Sequence, residues 1–128
     1  MIKHAVFILA AGVVASSVHA AEVTYEQAKA WADRDEGSLT PGQAQALTES
    51  QGRAGGSAHA TCLGGRPKPS LAPYTVVMEL DSSGKVVHTW LHGDSTLAVC
   101  FNEEMRKATL FAPPKAPFYT SFEMSWKP

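Results

Sequence analysis

The sequence predicts an α+β fold: a three-stranded antiparallel sheet with one packed helix, preceded by a short helical amino-terminal region. Residues 74–80 alternate between two faces, one of them wholly apolar, and residues 81–84 read Asp-Ser-Ser-Gly, a hairpin turn. Apolar residues at helical spacing follow over 97–108, and a second alternating run covers 118–126. A strand–strand–helix–strand order folds as a sheet with the helix on one face.

The first 20 residues predict a secretory signal peptide. Lys3 supplies a basic start, residues 5–15 form an apolar run, and the segment ends on the small residue Ala20. We expect cleavage after Ala20 or Ala21 and release into the periplasm. The apolar run is shorter than the roughly 20 residues of a spanning helix, so no membrane insertion is expected after cleavage.

Composition limits the class of protein. Removing the signal leaves about 108 of the 128 residues, the length of one small domain. Lys3 is the only charged residue removed, so 10 basic residues remain against 12 acidic ones, a net charge of −2. Nucleic-acid binding needs a strongly basic surface, so no nucleic-acid partner is predicted.

A helical extension is predicted at 21–60, ahead of a β-β-α-β domain at 61–128. Thr24 and Thr40 each stand three residues before a Gln, the capping-box pattern of a helix start. Pro41 suits the first position of the second helix. The predicted helices cover 25–34 and 41–51, and the glycines within 53–57 predict a flexible break after them.

The second and third predicted strands each divide into two faces that could pack against other elements. In the return strand at 85–92, alternation places Val86 with Trp90 on one face and Val87 with Leu91 on the other, as in a strand covered on both sides. Between the strands, residues 94–96 offer N-cap groups to the helix. The final strand is predicted to divide into one face with Phe118, Thr120, Phe122, Met124 and Trp126, and another with Tyr119, Ser121, Glu123 and Ser125.

The two cysteines, Cys62 and Cys100, predict a structural disulfide. They are the only cysteines, an even count in a chain predicted to be exported, and neither belongs to a C-x-x-C motif. Closing a loop of this length stabilises a fold by about 4 kcal/mol in the chain-entropy model. The alternatives are a redox pair and a metal pair, with His59 close enough in sequence to share a ligand site with Cys62.

The run from residue 73 to residue 126 contains a strand, a D-x-x-G turn, a second strand, a Ser-containing turn, a helix and a Pro-rich step into a final strand. It resembles the TonB carboxyl-terminal domain, and most closely the two-cysteine AgmX/PglI-type branch. In that branch one cysteine precedes the first strand and the other lies in the helix, the positions of Cys62 and Cys100. The resemblance implies protein–protein contact through a sheet edge, without catalysis.

The chemistry-bearing residues do not form a recognisable catalytic or metal motif. His88 and His92 share a strand face, but at about 13 Å apart they are too distant to bind one metal ion. The serines lie in turns, and no G-x-S-x-G elbow is present. We therefore predict that the protein is not an enzyme and uses no cofactor or metal.

The leading functional prediction is a periplasmic protein-binding or adaptor module of the cell envelope. The predicted contact is the exposed edge of the last strand, with Tyr119, Glu123, Trp126 and Trp90 as partner-binding residues. The partner is another envelope protein, or a second copy in a homodimer. The alternative is a periplasmic inhibitor or immunity protein that inserts residues 64–69 or 81–85 into a toxin or cell-wall hydrolase. A further possibility, left open, is that the amino-terminal helices cover the aromatic side chains.

Overall fold

The computed structural model describes residues 22–64 and 70–126, and it shows the predicted α+β fold with a three-stranded antiparallel sheet. The predicted signal peptide lies outside the described residues, as does most of the 64–69 loop. The sheet has the strand order β2-β1-β3. In chain order the elements are α1 Tyr25–Gly37, α2 Pro41–Leu63, β1 Tyr74–Leu80, β2 Val86–His92, α3 Thr96–Met105 and β3 Phe118–Met124. Within the described ranges, no helix has both the length and the apolar content that crossing a bilayer requires.

Both amino-terminal helices begin at the predicted capping boxes. The Thr24 side chain accepts a hydrogen bond from the Gln27 amide at 3.2 Å, and the Gln27 side chain accepts one from the Thr24 amide at 3.0 Å. The same reciprocal pair forms between Thr40 and Gln43. These bonds satisfy amides that have no partner inside the helix, and they fix where each helix starts.

The predicted end of the second helix is wrong. Instead of stopping near residue 51, α2 continues through the glycines to Leu63, so the predicted flexible break is helical and Cys62 lies in the last turn. Gly55 is buried against the Phe122 ring, and a Cβ at Gly55 would lie 2.5 Å from that ring. Packing of the helix on the sheet therefore outweighs the low helix propensity of glycine.

Helices cover both faces of the sheet, whereas the sequence predicted one packed helix. On one face, side chains of β1 and β3 such as Met78 and Phe118 pack with α2 and α3 residues including Ala58 and Phe101; we call this cluster the α2/α3 core. On the other face, Ala28 and Ala32 of α1 pack with Val77 and Tyr119; we call this cluster the α1 core. Of the two amino-terminal helices, α1 covers the second face and α2 packs with α3 on the first, so the possibility that the sequence left open holds for α1.

A β-bulge in β2 changes which side chains share a face. Leu80 pairs with Val86 and Glu79 pairs with His88, so Val87 is an extra residue with no partner on β1. Val86 and Leu91 consequently both contribute to the α2/α3 core, and Trp90 packs in the α1 core. The predicted pairing of Val86 with Trp90 on one face is wrong, because strict alternation does not survive an inserted residue.

The predicted disulfide is present. It joins Cys62 in the last turn of α2 to Cys100 in α3, with 5.8 Å between the Cα atoms. Ser95 forms the N-cap of α3 as predicted, accepting a hydrogen bond from the Ala98 amide at 3.0 Å. The disulfide holds α2, which precedes the hairpin, against α3, which follows it.

Candidate functional site

The outer edge of β3, the predicted contact edge, is covered by side chains from α1 and α2. The Tyr119 amide donates to Oδ2 of Asp35 at 2.9 Å, and the Ser121 amide donates to Oε1 of Glu36 at 2.8 Å. The Ser121 carbonyl accepts from Nε2 of Gln51 at 3.1 Å. A partner strand would have to displace these bonds, so the prediction that this edge is exposed is wrong.

Asp35 is the centre of this cover. Its side chain is fully buried and also meets Nε of Arg34 at 3.1 Å and Nζ of Lys115 at 3.0 Å. Burial alone would raise the pKa of the Asp35 carboxyl, but the Tyr119 amide and the two cations outweigh burial and hold the pKa below its ordinary value. The carboxylate is therefore ionised and fully paired at neutral pH.

The four predicted partner-binding residues do not form one surface. Tyr119 is only 8% exposed, packs on Trp31 and donates its hydroxyl to Glu79 at 2.9 Å. Burial, and then the Glu79 carboxylate, raise the pKa of Tyr119 to about 12. Tyr119 is thus an interior residue, and its assignment to a partner-binding surface is corrected.

The other three predicted residues are placed separately. Trp90 is half-buried beside Tyr119 and donates its indole N–H to the Val23 carbonyl at 2.8 Å, which fastens the start of α1. Glu123 is exposed and ion-pairs with Lys29 at 2.8 Å. Trp126 packs on Tyr74, a member of the α2/α3 core on the opposite face. Trp90 and Tyr119 therefore serve mainly to dock α1.

Backbone alternation identifies the edge that is open. In an antiparallel ladder, successive residues turn their peptide groups alternately toward and away from a neighbouring strand. Tyr119 and Ser121 turn outward, so Thr120 between them turns toward its β1 partner, Met78. Met78 consequently turns its own peptide groups toward β3 and away from β2.

The same alternation determines the outer edge of β2. Thr89 is opposite Met78 and Leu91 is opposite Val76, so both turn their peptide groups away from β1. No hydrogen bond from the described part of the chain reaches the Thr89 or Leu91 amide from outside the sheet. These two residues present donors and acceptors to an incoming strand.

The open edge has definite ends. At its start, segment 108–110 lies along β2, with the Val86 amide donating to the Ala108 carbonyl at 3.1 Å and the Leu110 amide donating to the Gly84 carbonyl at 2.8 Å. At its end, Gly93 has a positive φ of 135° and the chain leaves the sheet. Residues 88–92, His-Thr-Trp-Leu-His, are left uncovered by the described part of the chain. They include none of the Lys or Pro residues that usually protect an edge.

Comparison of the chain with protein-family models, curated proteins and solved structures finds no match.

A cavity lies on each side of the open edge. On the α3 side, a cavity of about 400 Å³ is bounded by β2 residues and by Asn102 and Arg106. On the α1 side, a cavity of about 350 Å³ is lined by Glu22, Val23, Glu79, His88 and Trp90. His88 borders both cavities, so an added strand has room for side chains on either face of the sheet.

His59, the histidine with ligand-like spacing to Cys62, is half-buried against the α2/α3 core. Its Nε2 lies 2.6 Å from the Tyr74 hydroxyl oxygen. The centroid of its ring lies 4.7 Å from the centroid of the Phe101 ring. Burial lowers the pKa of His59 and raises the pKa of Tyr74 to about 12, which favours the neutral form of both. Cys62 is in the disulfide, and residues 22–64 and 70–126 contain no group of three metal-ligating side chains.

One feature of the sequence, which hydrophobic periodicity does not show, indicates that the edge of β3 is covered. Asp35 and Glu36 lie in the last turn of α1, where the helix dipole disfavours negative charge. Two acidic residues at a helix carboxyl end therefore indicate partners outside the helix, here the amides of β3.

Proposed function

We propose that the protein is an exported, non-catalytic protein-binding module of the cell envelope, and that the open edge of β2 takes a strand from a partner chain. The observation that supports this proposal is that, among the described residues, side chains hydrogen-bond to the backbone of one sheet edge and not to that of the other. Asp35, Glu36 and Gln51 occupy the outer groups of β3, whereas nothing in the described part of the chain bonds the outward amides of Thr89 and Leu91 in β2. Strand addition uses such free peptide groups for affinity and the flanking cavities for specificity.

The proposed compartment is the periplasm, reached through the signal peptide at residues 1–20. The Cys62–Cys100 disulfide supports an oxidising compartment, because such bonds rarely persist in the cytosol of mesophiles. The strand–strand–helix–strand order also supports the proposed relationship to TonB carboxyl-terminal domains, for which contact through a sheet edge is expected. The contact edge proposed for this chain is that of the second strand, not the last.

Of the two segments that the inhibitor alternative would insert into an enzyme, only the turn at 81–85 lies wholly within the described residues, and its geometry gives that alternative little support. The turn at 81–85 would have to protrude to enter an enzyme cleft. Instead, Asp81 accepts hydrogen bonds from Ser83 and Lys85, and Gly84 is buried against the backbone of Leu110 and Phe111. Ser82, Ser83 and Lys85 remain exposed, which is a small surface for tight inhibition.

Site-specific photocrosslinking in exporting cells tests the proposal. A photoreactive residue replaces Val87, which is 50% exposed beside the open edge, and crosslinked proteins are identified by mass spectrometry. The edge is then blocked with Thr89→Pro, which removes an outward N–H without removing a bond to β1. Thr89→Val keeps that donor and serves as the matched control.

We expect a defined envelope partner to crosslink at position 87, to persist in Thr89→Val and to be lost in Thr89→Pro. A photoreactive residue at Thr48, exposed on α2, controls for nonspecific proximity. Equal capture from positions 87 and 48, or capture that survives Thr89→Pro, would overturn the proposal.

A further inference from the structure

We infer that the strand taken up by the open edge is β2 of a second copy of this chain. The inference rests on the proposed function of that edge and names its partner. Antiparallel pairing of two β2 strands about a two-fold axis would join two sheets of order β2-β1-β3 into one continuous six-stranded sheet.

The pairing has a register that the backbone selects. Thr89 and Leu91 turn their peptide groups outward, so they form the hydrogen-bonded pairs, with Thr89 of one copy opposite Leu91 of the other. The two-fold axis then passes between the two Trp90 residues. His88 of one copy faces His92 of the other, and this pair occurs twice.

The length of the open edge favours this register over its neighbours. Centred on Trp90, the ladder uses residues 88–92 of both copies, which is the full uncovered stretch. Moving the centre to Thr89 would bring Val86 into the ladder, but its amide already bonds to Ala108. Moving the centre to Leu91 would extend pairing beyond Gly93, where the strand ends.

The side chains at the pairing positions are compatible with a second copy. His88 and His92 are exposed, and the stretch 88–92 contains no Lys, Arg, Asp or Glu to repel its own copy. Trp90 is half-buried, and an aromatic side chain directly opposite another is a favourable cross-strand pair. The strand is thus self-complementary along its whole open length.

The association closes at two copies. Each outer edge of the six-stranded sheet would be a β3 strand, where Asp35 and Glu36 already bond the outward amides. Pairing therefore cannot propagate into a fibre. A ladder of five residues a side buries less surface than a permanent dimer, so we expect a weak dimer that dissociates on dilution.

Charge variants test both the partner and the register. In His88→Lys/His92→Lys and in His88→Glu/His92→Glu, like charges face each other at both flanking pairs, and each variant alone should lose the dimer, with association weakened roughly tenfold or more. An equimolar mixture should form a heterodimer, because opposite charges then meet. His88→Glu/His92→Lys should dimerise alone, because the carboxylate introduced at position 88 would face the ammonium group introduced at position 92 of the second copy.

Sedimentation over a concentration series measures association, and circular dichroism checks that each variant is folded. Lysines introduced together at the exposed Thr48 and Thr61 of α2 provide the matched control and should leave association unchanged. Concentration-dependent dimerisation, its loss in both like-charge variants and its return on mixing would support the inference.

Three results separate the inference from the proposed function. An unmodified chain that stays monomeric, but crosslinks to a different envelope protein through position 87, would overturn the homodimer and leave the strand-binding edge intact. A dimer that withstands both like-charge variants forms at another surface and would also overturn the inference. A monomer that captures nothing through position 87 would overturn both proposals.

Discussion

The amide of Tyr119 donates a hydrogen bond of 2.9 Å to the buried carboxylate of Asp35, 84 residues earlier in the chain. This bond attaches the end of α1 to the outer edge of β3. With the neighbouring bond from Ser121 to Glu36, it closes one edge of the sheet and leaves β2 as the open edge. The same contact therefore determines both the packing of α1 and which sheet edge is covered.

Asp35→Ala should destabilise the protein by about 1–3 kcal/mol, because it leaves the buried Tyr119 amide without an acceptor. The Lys115 and Arg34 side chains are more than half exposed, so the loss of their counter-ion adds little. Urea denaturation followed by circular dichroism measures the change. Asp33→Ala, which removes an exposed carboxylate on the same helix, should change the free energy of unfolding by less than about 0.5 kcal/mol. Equal effects of the two substitutions would show that Asp35 has no special part in holding α1 to the sheet.

His59 should make stability depend on pH below neutrality. Burial places the folded-state pKa below the ordinary value of 6.5, so the unfolded chain binds a proton more readily than the folded one. Its contribution to stability is complete above pH 6.5 and decreases as the pH falls from there through the folded-state pKa. Unfolding free energies at pH 7.5 and pH 5.5 should differ less in His59→Gln than in the unmodified protein, whereas Thr48→Gln, at an exposed position of α2, should keep the full difference.

The sequence was sufficient to predict elements whose boundaries depend on local bonds. The capping boxes at Thr24 and Thr40 located both helix starts, and Gly84, with a φ of +88°, occupies the turn position where glycine was expected. Cys62 and Cys100 were correctly paired because only one pairing exists. Such signals need no knowledge of distant residues.

The predictions that were wrong concern features that depend on contacts between residues far apart in the sequence. The end of α2 depends on Gly55 fitting against Phe122, which is 67 positions away, so glycine content alone gave a false break. The exposure of Tyr119 depends on where α1 packs. The alternation of side chains along β3 could not reveal that Trp31 covers Tyr119. Whether the outer edge of a strand is open or covered likewise depends on which side chains hydrogen-bond to its backbone, not on the strand's own sequence.

Substitution of three neighbouring glycines tests whether this part of α2 is a packed helix or a flexible break. Gly55→Ala should destabilise by about 1–3 kcal/mol, because the added Cβ would overlap the Phe122 ring. Gly52→Ala and Gly56→Ala place a methyl group in open space and should stabilise by about 0.5–1 kcal/mol, since alanine favours the helix. Thermal or urea unfolding of the three variants measures this contrast. Stabilisation by all three would mean that this turn of α2 does not pack on the sheet.

Glu36→Ala should change the association of the protein, not only its stability. The substitution leaves the Ser121 amide and the Thr120 hydroxyl without their common acceptor, which lies 2.8 Å and 2.7 Å from them. With both sheet edges then presenting free donors, we expect assemblies larger than those of the unmodified chain, detected by sedimentation. Glu36→Gln keeps an acceptor oxygen at the same place and should preserve the original state. If Glu36→Ala retains that state while remaining folded, a second feature must block the β3 edge; Gln51, which bonds the Ser121 carbonyl, is the residue to remove next.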